Sequence, residues 1–169
     1  PRRSRRPGRR ADYLHREAVF MLDGWGKQDF SKSYQELNPE QQAQLRGRLE
    51  QSLRTNSYDP ATGAITMDPL RSEAFAANLK HYSETFSEGN AAYAIPKGAV
   101  TDSQRLSDLT AFFFWTSWAA VTNRPGDHIS YTSNWPHEPL VGNRPSGESV
   151  VWTGVSIIML LAGICAMVW

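Results

Sequence analysis

Hydrophobic positions recur at helical spacing along this chain as soon as a polar N-terminal stretch ends. Leu14, Ala18, Leu22 and Trp25 fall three or four residues apart, which predicts an amphipathic helix closed by Gly24 and Gly26. The stretch "NPEQQAQLRGRLEQSLRTN" predicts a second helix. Asn38 can cap it, Pro39 suits its first turn and Glu40 complements the positive end of the helix dipole. Leu45, Leu49 and Leu53 give it an apolar stripe. "YDPATGAITM" carries turn chemistry in Asp59-Pro60 and Gly63, with room for one short strand. Asp68-Pro69 then opens a third helix with Phe75, Leu79, Tyr82 and Phe86 on one face, stopped by Gly89. A loop through Pro96 and Gly98 leads to a fourth, from Asp102 to Thr122, terminated by Arg124-Pro125-Gly126.

Two apolar runs have different destinies. "AFFFWTSWAAV", Ala111 to Val121, spans about 16 Å as a helix, half the hydrocarbon thickness of a bilayer, and so predicts a core helix of a soluble domain. The 20 residues from Val150 to Trp169 carry no charge and match the length that crosses about 30 Å of hydrocarbon. Trp152 and Trp169 would sit at the two interfaces, and the C-terminal position rules out a signal peptide. The expected fold is therefore mainly α: a small helical soluble domain, then one transmembrane α-helix. The expected divisions are a basic disordered tail (1–10), the soluble domain (11–132), a proline-rich connector (133–149) and the membrane helix (150–169).

The formal net charge of +1 conceals an asymmetry. Six of the 18 Lys and Arg lie in "PRRSRRPGRR", leaving 12 basic against 17 acidic residues in the rest, a net of −5. The tail could meet phosphates, but it has no aromatic residues, no folded platform and an acidic body behind it. No nucleic-acid partner is expected. A salt-sensitive association that vanishes without residues 1–10 would be the sign of one.

Candidate chemistry is sparse. Cys165, the single cysteine, lies inside the apolar run, so there is no intrachain disulfide, no CxxC and no CxxCH for covalent haem. His15, His81, His128 and His137 stand at no metal-ligand spacing. In His15-Arg16-Glu17 successive side chains leave the helix in different directions, and one partly buried histidine with a hydrogen-bond partner is expected there. No nucleophile elbow, P-loop or dinucleotide fingerprint occurs. No catalytic, cofactor-binding or metal residue can be assigned.

The most particular stretch is "SNWPHEPLVGNRP", Ser133 to Pro145, at the lip of the last apolar run. Asn134, Trp135, Pro136, His137, Glu138, Pro139, Gly142 and Asn143 make it a candidate structural junction. Two readings stay open. His137 and Glu138, a base and a carboxylate at a membrane edge, could relay protons. Alternatively Pro136, Pro139 and Pro145 stiffen a connector while Trp135 anchors at the lipid interface.

"YTSNWPHEPLVGNRPSGESVVWTGVSIIMLLAGI" resembles the junction of bacterial quinol-dependent, single-chain nitric oxide reductases, where an extracytoplasmic domain meets the second transmembrane helix. "ADYLHREA", "LRTNSYDPATG" and "AFFFWTSWAAVTNRPG" resemble the same family in the same order, so the likeness runs from about Ala11 to Trp169. It implies a cytochrome c-like soluble domain that has lost its haem, on the extracytoplasmic side of the bacterial inner membrane. Phe112, Phe113, Trp115 and Trp118 are expected to fill the vacated space.

The family's reaction turns two NO into N2O and water with quinol electrons. Its haem b, haem b3, non-haem iron and quinol site belong to later helices, so no cofactor is expected in this fragment. The fragment alone is expected to be a catalytically inactive cap for the haem-copper-oxidase-like bundle. Its expected partners are the lipid bilayer and the remaining helices of the parent reductase. The Arg-rich decapeptide stands where the family has a glycine- and aromatic-containing segment after a first membrane helix. A misread frame or mis-set start, with a truncated C-terminus, is expected from that departure. The competing reading is a complete single-pass anchored module that binds another protein.

Overall fold

A computed structural model describes residues 9–168. The expectations for most of the basic tail, and for Trp169 as an interface anchor, lie outside these residues. Five α-helices dominate: α1 (Arg9–Phe30), α2 (Pro39–Arg54), α3 (Pro69–Ser87), α4 (Ser103–Val121) and α5 (Gly147–Val168). Two two-residue strands, β1 (Tyr58–Asp59) and β2 (Ala64–Ile65), pair antiparallel between α2 and α3, with Tyr58 opposite Ile65. The expected single strand is thus a minimal hairpin. Gly63 takes the positive φ its turn requires, and Asp59 ties the turn down through the Ala61 N–H and the Thr62 hydroxyl.

The cap read from the sequence at Asn38 is in place, and the residues that open the third and fourth helices cap them as well. Asn38, Asp68 and Asp102 each accept the backbone N–H three residues on, which satisfies an otherwise orphaned donor at the start of α2, α3 and α4. Gly24 and Gly26 do not close α1, which runs on to Phe30. A Cβ on Gly24 would lie 2.7 Å from the Leu70 side chain of α3, and one on Gly26 would lie 2.8 Å from the Lys32 carbonyl oxygen. These glycines admit close neighbours rather than breaking the helix, a demand of packing that local propensity does not carry.

α1 is the axis of the domain, packing against α2, α3 and α4. One core forms where Leu14, Ala18, Met21 and Leu22 meet Leu45, Leu49 and Leu53 of α2. A second, aromatic core joins Tyr13 to Tyr82 and Phe86 of α3 and to Phe113, Phe114 and Trp118 of α4. Each fully buried aliphatic or aromatic side chain is worth about 1.5–3 kcal/mol in transfer from water. The domain therefore rests on the α1 stripe and the leucines of α2.

Three expectations change. The buried face of α3 runs through Arg71, Ala74, Asn78, Tyr82, Thr85 and Phe86, while Phe75 and Leu79 are only half-buried. The stripe turns because α3 must present a cation: Arg71 Nε donates to Glu17 Oε1 at 2.8 Å in the interior. Glu17, not a histidine, is accordingly the buried member of the His15-Arg16-Glu17 triplet. Of the four bulky residues expected to fill the domain, Phe113 and Trp118 are buried, but Phe112 and Trp115 are 52% and 50% exposed. The helical period sends residues 112 and 115 outward together, on a different face from the core-facing Phe113, Ser117 and Trp118.

α5 stands apart. Its 22 residues extend about 33 Å at the helical rise, their mean hydropathy is 2.2 over the most apolar window, and none of that window is buried. By length and composition it can cross a membrane.

Candidate functional site

The junction between α4 and α5 is a folded plug rather than an open linker. Its organiser is Asn143, which is fully buried. The Asn143 side-chain amide donates to the Pro136 carbonyl at 2.8 Å and lies 3.3 Å from both the Ala120 and the Asn134 carbonyls. Its oxygen accepts the Glu138 N–H at 2.7 Å. One side chain thus ties the end of α4 to three points of the loop, a task that needs a donor and an acceptor on the same short stem.

Asn134 ties the two ends of the loop to each other. Its oxygen accepts the Ser130 N–H at 3.0 Å, its backbone N–H donates to Ser130 Oγ at 2.7 Å, and its amide donates to the Arg144 carbonyl at 2.9 Å. Asn134 and Ser133 adopt positive φ, 62° and 55°, where asparagine is among the more tolerant residues. Gly142, at φ 72°, lets the chain reverse beneath Asn143, and its carbonyl faces Arg54 of α2. Between these turns Val141 enters the leucine core, so the loop contributes to the stability of the domain it leaves.

Glu138 is buried, and its carboxylate has a partner that sequence distance concealed. His15 Nδ1 of α1 lies 3.2 Å from Glu138 Oε1, across 123 positions of sequence. The same oxygen accepts the Leu140 N–H at 3.2 Å. His137 turns the other way: its Nδ1 lies 3.3 Å from the Asn143 carbonyl, and the residue is exposed. The adjacent pair His137-Glu138 is therefore not a hydrogen-bonded dyad. The pair that the fold assembles is His15 with Glu138, clamping α1 to the junction. His15 has the partner expected of it but is exposed rather than partly buried.

Pro136 follows a cis peptide bond after Trp135 and is half-buried, whereas Pro139 is exposed. Trp135 is 66% exposed and, with Thr132, Ser133 and Pro145, lines a hollow whose other wall is Ser149, Val150 and Thr153 of the first turns of α5. Ser146 caps that helix, its hydroxyl oxygen accepting the Ser149 N–H at 3.2 Å. The eight junction residues thus gather at one place, where the domain ends and the apolar helix begins. Sequence reading missed His15 of this site and the Asn143 network. Neither has a local signature, because each is defined by partners in another element.

The remaining titratable groups lie elsewhere. Asp12 accepts from the hydroxyls of both Tyr82 and Tyr93 at 3.0 Å. Burial, reinforced by that carboxylate, pushes both tyrosines above their ordinary range. Burial, with Arg16 nearby, lowers His81. Among the described residues no three His, Cys, Asp or Glu side chains stand close enough to share a metal ion. With no CxxCH in the sequence and Cys165 on α5, the residues present do not fit a covalently attached haem.

A family model described as the cytochrome c-like domain of the nitric oxide reductase NorB matches residues 7–137, more than half of the chain. No curated protein matches.

Proposed function

As this chain belongs to the NorB nitric oxide reductase family through its cytochrome c-like domain, we propose that it is the N-terminal cap of a membrane-bound, quinol-dependent nitric oxide reductase. The whole enzyme of that kind reduces two NO to N2O, with haem b, haem b3 and non-haem iron in helices that follow. In this reading the chain carries no redox centre, its domain is haem-less and lies on the extracytoplasmic side of the inner membrane, and α5 spans the bilayer.

The observation that carries the reading is the junction. A connector that only tethered a domain would be free to swing. This one is fastened to α4 by Asn143, to α1 by Glu138 and to the leucine core by Val141. Such fastening transmits the position of the domain to the first turn of α5, as a cap held over a membrane bundle requires. His137 and Glu138 have structural partners within it, which favours the stiff-connector reading over a proton relay.

The test is assembly. Purified alone from membranes supplied with haem, the chain should show no haem absorption and consume no NO. Co-expressed with the remaining helices of the parent reductase, it should bind them and restore their quinol-driven NO consumption. Haem in the isolated chain would overturn the haem-less cap. Failure to bind those helices would favour a single-pass anchored module that serves another protein.

A further inference from the structure

The outward face of α4 is an aromatic feature that the junction leaves unexplained. Phe112 and Trp115 are half exposed there, Tyr131 is 45% exposed, and with Tyr58 they wall a shallow groove of about 450 Å3. The groove lining contains no charged residue. Trp118 lines it too, and its buried indole N–H has no hydrogen-bond partner among the described residues. The rings touch in series: Trp115 lies 4.9 Å from Trp118, and Trp118 stacks at 5.3 Å on Tyr131.

The series continues toward the apolar helix. Tyr131 is followed by Thr132 and Ser133, which with Trp135 form the next surface hollow, and the far wall of that hollow is Val150 and Thr153 of α5. The two hollows thus meet at the chain neighbours Tyr131 and Thr132, and neither lining contains a charged residue. Contiguous apolar surface of this kind is rarely left in water. Tryptophan and tyrosine with an apolar body and a polar tip are the residues that favour the headgroup level of a bilayer.

We propose that the soluble domain lies against the membrane surface through these two hollows, with Phe112, Trp115, Tyr131 and Trp135 in the lipid headgroup region. The occupant is lipid because α5 walls the second hollow and neither lining carries a charge that would select an acidic or basic protein. The inference rests on the reading of α5 as a membrane span. Asn143 and Ser146 then act together: the first fixes the loop to the domain, the second starts the helix, and the domain is held down instead of standing off on a stalk.

The test uses the full chain in phosphatidylcholine vesicles, with Cys165→Ala and one nitroxide label at a time on Phe112→Cys, Trp115→Cys, Ile158→Cys or Gly47→Cys. Gly47 lies on α2 with open space around it, and Ile158 is exposed on α5. Collision of each label with oxygen and with a water-soluble nickel chelate is compared. Labels at 112 and 115 should be shifted toward oxygen, between the water-like label at 47 and the lipid-like label at 158. Labels at 112 and 115 that match the one at 47 would overturn the docking while leaving the span intact. Shielding of both from both collision partners would overturn it in favour of a covering protein, such as a second copy. A water-like label at 158 would overturn the span and the docking together.

Discussion

Replacing Asn143 by Ala should loosen the junction more than any other single change in it. The substitution removes two short hydrogen bonds, to the Pro136 carbonyl and from the Glu138 N–H, at 2.8 and 2.7 Å. Each is worth about 1 kcal/mol net, and the Glu138 N–H, left buried without an acceptor, costs about 1–3 kcal/mol more. The expected loss is therefore about 3–5 kcal/mol, a large part of the total stability of about 5–15 kcal/mol typical of a domain. Hydrogen exchange of the full chain in detergent reads it directly at the amides of Glu138, Val141 and Gly142. A loss near 3 kcal/mol speeds their exchange by about two orders of magnitude. Asn143→Asp should be at least as damaging, since it keeps the acceptor but turns a carboxylate oxygen toward the carbonyls of Pro136, Asn134 and Ala120. His137→Ala, which removes one 3.3 Å contact from an exposed residue, should change stability by no more than about 0.5 kcal/mol. An increase of less than about threefold in those exchange rates for Asn143→Ala would refute the assignment of Asn143 as the organiser of the loop.

Three further perturbations test the body of the domain. Arg71→Met strands the buried Glu17 carboxylate and should cost about 3–5 kcal/mol in denaturant unfolding, most of it recovered by adding Glu17→Leu. Equal stability of the single and double variants would mean that the pair is not electrostatically coupled. Gly26→Ala should destabilise despite the better helix propensity of alanine, a gain of about 1 kcal/mol. Its Cβ would meet the Lys32 carbonyl oxygen at 2.8 Å, an overpacking worth about 1–3 kcal/mol, so a rise in melting temperature would contradict the packing argument. For His81, burial and the nearby Arg16 hold the folded pKa below the ordinary value of about 6.5. Between the two values the unfolded chain binds more protons, so this contribution is complete above about pH 6.5 and is lost as pH falls below it. His81→Gln should reduce the slope of stability against pH in that window, and an unchanged slope would rule His81 out as its source.

The Asn38 cap, the helix starts at Asp68 and Asp102, the leucine stripe and the two kinds of apolar run were legible in the sequence because each is a local property. Asn38 caps its helix within three residues of itself, and Leu45, Leu49 and Leu53 follow the helical repeat without reference to any partner. The length of α5 and its lack of charge likewise follow from composition alone. The junction was legible only as a place. Its proline and asparagine content marked it, but the roles of its members were not readable.

Tertiary structure decided whatever depends on a partner distant in sequence. It made Gly24 and Gly26 sites of close approach instead of helix ends, because Leu70 and Lys32 come to lie against them. It buried Glu17 by supplying Arg71 from α3, and it gave Glu138 to His15 rather than to its neighbour His137. It also turned Phe112 and Trp115 outward while Phe113 and Trp118 went in, which periodicity permits but does not choose until α1 and α3 occupy one side of α4. The sequence by itself determined which segments are helical and which one suits a membrane, since backbone hydrogen bonding and hydrophobic transfer act residue by residue. Which side chains meet was decided by the packing of α1 against its three neighbours, because a contact exists only when two distant segments share one surface.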